Sequence, residues 1–206
     1  MNTDEHVGVT ETRLVHDVHR VATAMLVRAA LRPATPPEPF AEVRAFLVAT
    51  LRHHHETEDG RLWPLLLAAD PQLATWLDAL SGQHEELDAA LDALACAPLP
   101  DGTAPLELSG AATAVRDLVH AHLDLEEALL LPAVRAHLGA AEWEEFSAAV
   151  VATSPADGAH LMVGFLDRVA GPQAVRLALR HLPGPVQVAV PAMRELAATT
   201  ISALDE

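Results

Sequence analysis

Apolar residues recur at three- and four-residue spacing along most of the chain, and proline and glycine divide the runs. The first run, about Thr10 to Leu31, carries Leu14, Val18, Val21 and Met25 on one stripe and stops at Arg32-Pro-Ala-Thr-Pro-Pro-Glu-Pro39. A second helix is expected to begin at Pro39, a favourable first-turn position, and to run through Phe46 and Leu51 toward Ala69. Asp70-Pro71 reads as a cap and first helical residue, opening a third helix to about Ala95 with a candidate irregularity at Gly82. Residues 97–105 form a loop, and a fourth helix follows from Leu106 to about Leu138. Four such helices joined by shortish loops predict an all-α, up-down-up-down four-helix bundle over residues 1–138. After Gly139 the apolar pieces shorten to Ala140–Thr153, Pro155–Ala170, Pro172–Leu182 and Pro191–Leu204. They predict a C-terminal helical extension, residues 139–206, packed on the bundle.

Composition strengthens the helical reading: half of the residues are hydrophobic, chiefly Ala, Leu and Val, and only 3% are aromatic. The net charge of −16, with every basic residue an arginine, argues against nucleic acid or an anionic membrane surface as partner. Cys96 stands alone, which excludes an intrachain disulfide. No opening stretch joins basic residues to an apolar run, and no long uncharged span occurs. A soluble, cytoplasmic protein is expected.

A short internal repeat carries the candidate chemistry. Helix two contains His54-His-Glu-Thr-Glu58-Asp-Gly-Arg-Leu-Trp-Pro64, and helix four contains His122-Leu-Asp-Leu-Glu126-Glu-Ala-Leu-Leu-Leu-Pro132. Both fit His-x-x-x-Glu-acid-x-x-Leu-x-Pro. Residues four apart share a helix face, so each motif aims an imidazole and a carboxylate at one spot. In an up-down-up-down bundle helices two and four run parallel, which places the motifs at similar heights. Helices one and three run the other way, and His16 and His84 lie early enough in them to meet the motifs. His84 follows Asp70-Pro71 by roughly as many residues as His54 precedes it, agreeing to within a turn at about 1.5 Å per residue. His16 fits best if the first helix starts near Thr3 or Asp4. The candidate metal ligands are therefore His16, His54, Glu58, His84, His122 and Glu126. Mixed imidazole and carboxylate donors suit iron, zinc or manganese rather than calcium or magnesium.

On these residues the chain resembles hemerythrin-like proteins of the HHE cation-binding group. The likeness covers about residues 10 to 138 and rests on Leu-Val-His16-Asp-Val-His-Arg, on the two double-acid motifs, and on Gln83-His84-Glu-Glu-Leu. It implies a four-helix bundle with two non-haem iron ions, bridged by the two glutamates and leaving an open position for oxygen. It also implies work in oxygen carriage, oxygen or redox sensing, or iron handling. Two positions depart from the invertebrate oxygen carriers. Asp88 stands where those have a second helix-three histidine, and Glu127 where they have an aspartate. One metal then lacks a nitrogen unless Asp88, His19, His55 or His120 substitutes, which weighs against reversible carriage.

The reading favoured is a di-iron protein that binds, senses or reacts with dioxygen, peroxide or nitric oxide. The alternatives are a metal-free acidic helical module that recruits a protein partner, and a two-metal hydrolase. The hydrolase lacks a separate general base or a basic group for substrate. His6, His137, His160 and His181 read as solvent-facing or cap residues. His53 and His55 leave the His54 face on opposite sides, so at most one of them adds to the site.

Overall fold

A computed structural model of the chain describes residues 6–102 and 105–205. It is all-α, with no strand among the described residues. The bundle is built from α1 (Val7–Ala30), α2 (Pro37–Thr57), α3 (Trp63–Ala69), α4 (Ala74–Cys96) and α5 (Leu106–His137). The extension comprises α6 (Ala140–Thr153), α7 (Ala159–Val169), α8 (Pro172–Ala178) and α9 (Gly184–Asp205). No described helix is long and apolar enough to cross a membrane.

Local signals account for most of these boundaries. The His6 ring caps α1 by accepting from the Gly8 backbone N–H, 3.1 Å; the alternative start near Thr3 or Asp4 lies outside the described residues. The Asp70 side chain accepts from the Gln72 N–H, 2.9 Å, and opens a 3-10 turn over Pro71–Leu73 that leads into α4.

Three expectations need correction. The second helix begins at Pro37, and between α2 and α3 it widens into a π-helical segment, Glu58–Leu62, in which the Trp63 N–H reaches back to the Glu58 carbonyl. The cause lies one residue on: Pro64 has no N–H for the Gly60 carbonyl, and Gly60 adds little resistance to rewinding. Gly82, by contrast, sits inside an uninterrupted α4. The last helix starts at Gly184, not Pro191, and runs through that proline.

Two apolar clusters fill the bundle, and their order along each helix gives its direction. One contains Leu14, Val18, Leu51, Leu87, Val119 and Leu123. The other contains Val9, Leu62, Leu80, Leu130 and Trp143. Along α1 and α4 the chain passes from the second cluster to the first; along α2 and α5 it passes from the first to the second. Neighbours around the ring are α1 with α2, α2 with α4, α4 with α5, and α5 with α1. This is the up-down-up-down arrangement.

The added helices pack mainly on α1 and α2. Phe165 of α7 stacks on Phe46 of α2 with ring centroids 5.7 Å apart. Glu42 of α2 accepts a hydrogen bond from Thr200 of α9, 2.8 Å. Buried Glu11 accepts from the Trp143 indole N–H at 2.7 Å and from Arg180. Leu161, Phe165, Val175 and Ile201 thereby join the larger bundle cluster in one continuous core.

Candidate metal centre

Between the two apolar clusters lies a buried polar layer. His16, His84, His122, Glu58 and Glu126 are each at most 3% exposed, and His55 is 1% exposed. Both flanking layers are apolar, and Trp63 closes one side by stacking on the His84 ring, centroids 6.2 Å apart.

The donors fall into two groups. His16, His54, Glu58 and Glu126 each bring one ligand atom within 4.8 Å of the others, and His55, His84 and His122 do the same among themselves. The carboxylates join the groups. Glu58 turns Oε1 toward His54 Nε2 at 3.4 Å and Oε2 toward His84 Nε2 at 3.5 Å. Glu126 turns Oε1 toward His16 Nε2 at 3.6 Å and Oε2 toward His122 Nε2 at 3.3 Å. The six residues singled out from the sequence therefore all meet in this layer.

The site also contains residues that the sequence reasoning left undecided. His55 turns inward and stacks on His84, centroids 4.3 Å apart, whereas His53 points to Thr153 at 2.9 Å. A signal for His55 existed, because it precedes Glu58 by three residues and such a spacing also shares a helix face. Asp88, which replaces the second helix-three histidine of the oxygen carriers, holds His55 Nδ1 at 3.1 Å. The second acid of each motif has a matching task. Asp59 pairs with His84 Nδ1 at 2.9 Å, and Glu127 pairs with His16 Nδ1 at 3.0 Å. Glu127 also accepts from Arg20, while His122 Nδ1 meets Gln83 Oε1 at 2.9 Å. These contacts fix each ring so that its Nε2 faces inward.

The inward atoms have no hydrogen-bond partner among the described residues: Nε2 of His16, His54, His55, His84 and His122, Oε2 of Glu58 and both oxygens of Glu126. A carboxylate buried without a partner costs several kcal/mol, so the layer is costly as it stands and suited to cations. The electrostatics agree. Burial, then the charge of Glu126, raises Glu58 well above the usual carboxylate range. Burial would raise Glu126 as well, but His16 and His122 outweigh it and hold that carboxyl at about 2. Burial, then neighbouring imidazoles, takes His55 down to about 2 and His54 well below its ordinary value. His84 is lowered by burial despite Asp59. His54, His55 and His84 are thus held toward the neutral form, the one that binds metal.

A family model for the hemerythrin HHE cation-binding domain matches residues 8–135. The chain belongs to the hemerythrin HHE family. Comparison with curated proteins and with solved structures returned no significant match. The family match ends inside α5, and α6 to α9 lie beyond the matched residues. Within it, membership implies cation binding, and the two His/Glu groups are this chain's candidates for that role.

Outside the layer, His6 caps α1, His137 Nε2 faces Asp70 at 3.7 Å, His160 faces Glu42 at 3.0 Å, and His181 faces Glu144 at 3.3 Å. Phe46 and Met25 belong to the core, as expected. Trp63 belongs to the smaller cluster and forms a wall of the site.

Proposed function

We propose that this HHE domain holds two non-haem iron ions and uses them to bind, sense or react with dioxygen, peroxide or nitric oxide in the cytoplasm. The observation that carries the reading is the division of each carboxylate, with one oxygen of Glu58 and of Glu126 toward each histidine group. One ion would leave half of these inward atoms unpartnered, whereas two use both oxygens of each glutamate. His16 and His54 would serve the first ion and His55, His84 and His122 the second, with Glu58 and Glu126 common to both.

Charge supports divalent cations. Around the layer stand the carboxylates of Glu58, Glu126, Asp59, Glu127 and Asp88, and the guanidinium of Arg20. Their combined charge offsets two divalent ions. The nitrogen-rich set favours iron, with zinc or manganese the competing metals.

Iron held by these histidines and glutamates would supply the electrons for reduction of a bound oxidant. The chain supplies the surroundings. Apolar layers on both sides exclude water, Asp59, Glu127, Asp88 and Gln83 hold the rings in place, and the glutamates bring negative charge into an otherwise dry interior.

The test is the metal content and visible spectrum of protein purified from iron-rich medium without added metal. About two irons per chain, with oxo-iron charge-transfer absorption in the near ultraviolet after oxidation, is the expected outcome. Absence of any transition metal would return the chain to the acidic interaction module. A single zinc would favour hydrolytic chemistry.

A further inference from the structure

His19 lies on α1, one turn beyond His16, and is fully buried. Its ring sits against His54, with centroids 5.1 Å apart and planes at 66°. Neither ring nitrogen has a hydrogen-bond partner among the described residues. That separates it from His16, His55, His84 and His122, each of which fixes Nδ1 on Glu127, Asp88, Asp59 or Gln83 and leaves only Nε2 free. Four of the five candidate ligand rings are held by their second nitrogen, and His19 is held by neither. A neutral imidazole carries one N–H and one bare nitrogen, and burying both unpaired costs stability that a leucine would not cost. A partner for it lies outside the described residues, and a bound ligand is the source that the site offers.

The two donor groups show where. The second has three imidazoles and the first only two, His16 and His54, while Glu58 and Glu126 face both groups. The group that is one donor short is the one His19 adjoins, yet His19 is not among its four mutually close donors. Building on the two-ion reading, we propose that His19 donates a hydrogen bond to a small anionic or polar diatomic ligand taken up by the first group. In that role it selects ligands that accept a hydrogen bond over those that do not.

Azide is a suitable probe, being a small anion and a good acceptor. Iron-loaded wild type, His19→Leu and His19→Gln are compared by iron content, azide titration and the infrared azide stretch. Iron should be unchanged in both variants. Azide should bind on the order of tenfold more weakly to the Leu variant, the worth of one hydrogen bond, with a shifted stretch. The Gln variant keeps an N–H and should recover most of the affinity. If the Leu variant fails to fold, His19→Phe takes its place with the same expectation. Loss of about one iron in either apolar variant would make His19 a ligand and overturn the proposal. Unchanged azide affinity at full iron would make it a plain core residue, with the same consequence. Wild type that holds iron but takes up no azide also overturns His19's role, and leaves the two-ion reading standing. Wild type without iron overturns that reading itself.

Discussion

At Glu58 and Glu126, replacement by Gln keeps the side-chain volume and removes both a charge and an oxygen donor. Because each carboxylate faces both histidine groups, either change should lower bound iron well below the wild-type count rather than by one atom. His122→Ala touches one group and should release one iron first. His137→Ala, further along α5 beside Asp70, should leave iron unchanged. Mass-spectrometric iron counts on variants with wild-type helicity check this, and a His137 variant as depleted as the Glu126 variant would place the site elsewhere. A second prediction concerns the neighbours of the candidate ligands. Asp59→Asn and Glu127→Gln remove no donor, yet each should weaken iron affinity about 10–100-fold in chelator competition, because a ring loses its orienting partner. At this scale much of the layer was legible. The His-x-x-x-Glu pairs share a face by helix geometry alone, and His16 and His84 follow from bundle topology. His55 carried a signal in its three-residue spacing from Glu58, but a run of three histidines covers most of a turn and only packing decides which of them faces inward. The tasks of Asp59 and Glu127 were hidden for a related reason: their partners sit on other helices, far away in sequence.

Helix existence follows from apolar period, but helix continuity depends on where freed carbonyls point. Pro64, Pro132 and Pro191 all lie within helical rods, and each deprives the residue four before it of a hydrogen bond. Those residues, Gly60, Ala128 and Gln187, are exposed, so water can replace the missing donor and the helices continue. Sequence alone does not show this exposure, which is why Pro191 reads as a helix start. Of the two motif copies only the first widens into a π segment, and it is the copy with glycine at the freed carbonyl. Glycines elsewhere give a test of packing. A Cβ at Gly82 would meet nothing within 4 Å, so Gly82→Ala should stabilise α4 by about 0.5–1 kcal/mol in urea unfolding. A Cβ at Gly164 would fall 2.5 Å from the Ala197 Cβ, where α7 meets α9. Gly164→Ala should therefore destabilise, by about 1–3 kcal/mol, and loosen the extension. Equal effects of the two changes would mean that α7 and α9 do not approach as closely as described.

For the whole molecule, the buried layer ties stability to pH even without metal. Burial lowers His19 to about 3, helped by His16, and lowers His55 to about 2, while His54 and His84 are also depressed. In the unfolded chain each titrates near about 6.5. Below that value the unfolded state binds more protons, so the stability these groups carry is full above pH ~6.5 and is lost as pH falls toward their native values. Glu58 acts in the opposite sense. Its raised native value means that it stabilises most below its unfolded value of about 4.3 and loses that contribution as pH rises. Between pH 7.5 and 5.5 the four imidazoles outweigh the single carboxyl, so the melting temperature of metal-free protein should fall on acidification. His19→Leu should make that fall shallower, since one imidazole that charges on unfolding is gone. The metal-loaded protein adds a second loss, because protons compete with iron for the same nitrogens, and its melting temperature should drop more steeply than that of the metal-free form. Calorimetry at the two pH values on both forms and on the variant measures all three slopes. A metal-free melting temperature that holds or rises at pH 5.5 would mean that these imidazoles protonate freely in the folded state, and the dry layer between the two apolar clusters would have to be abandoned.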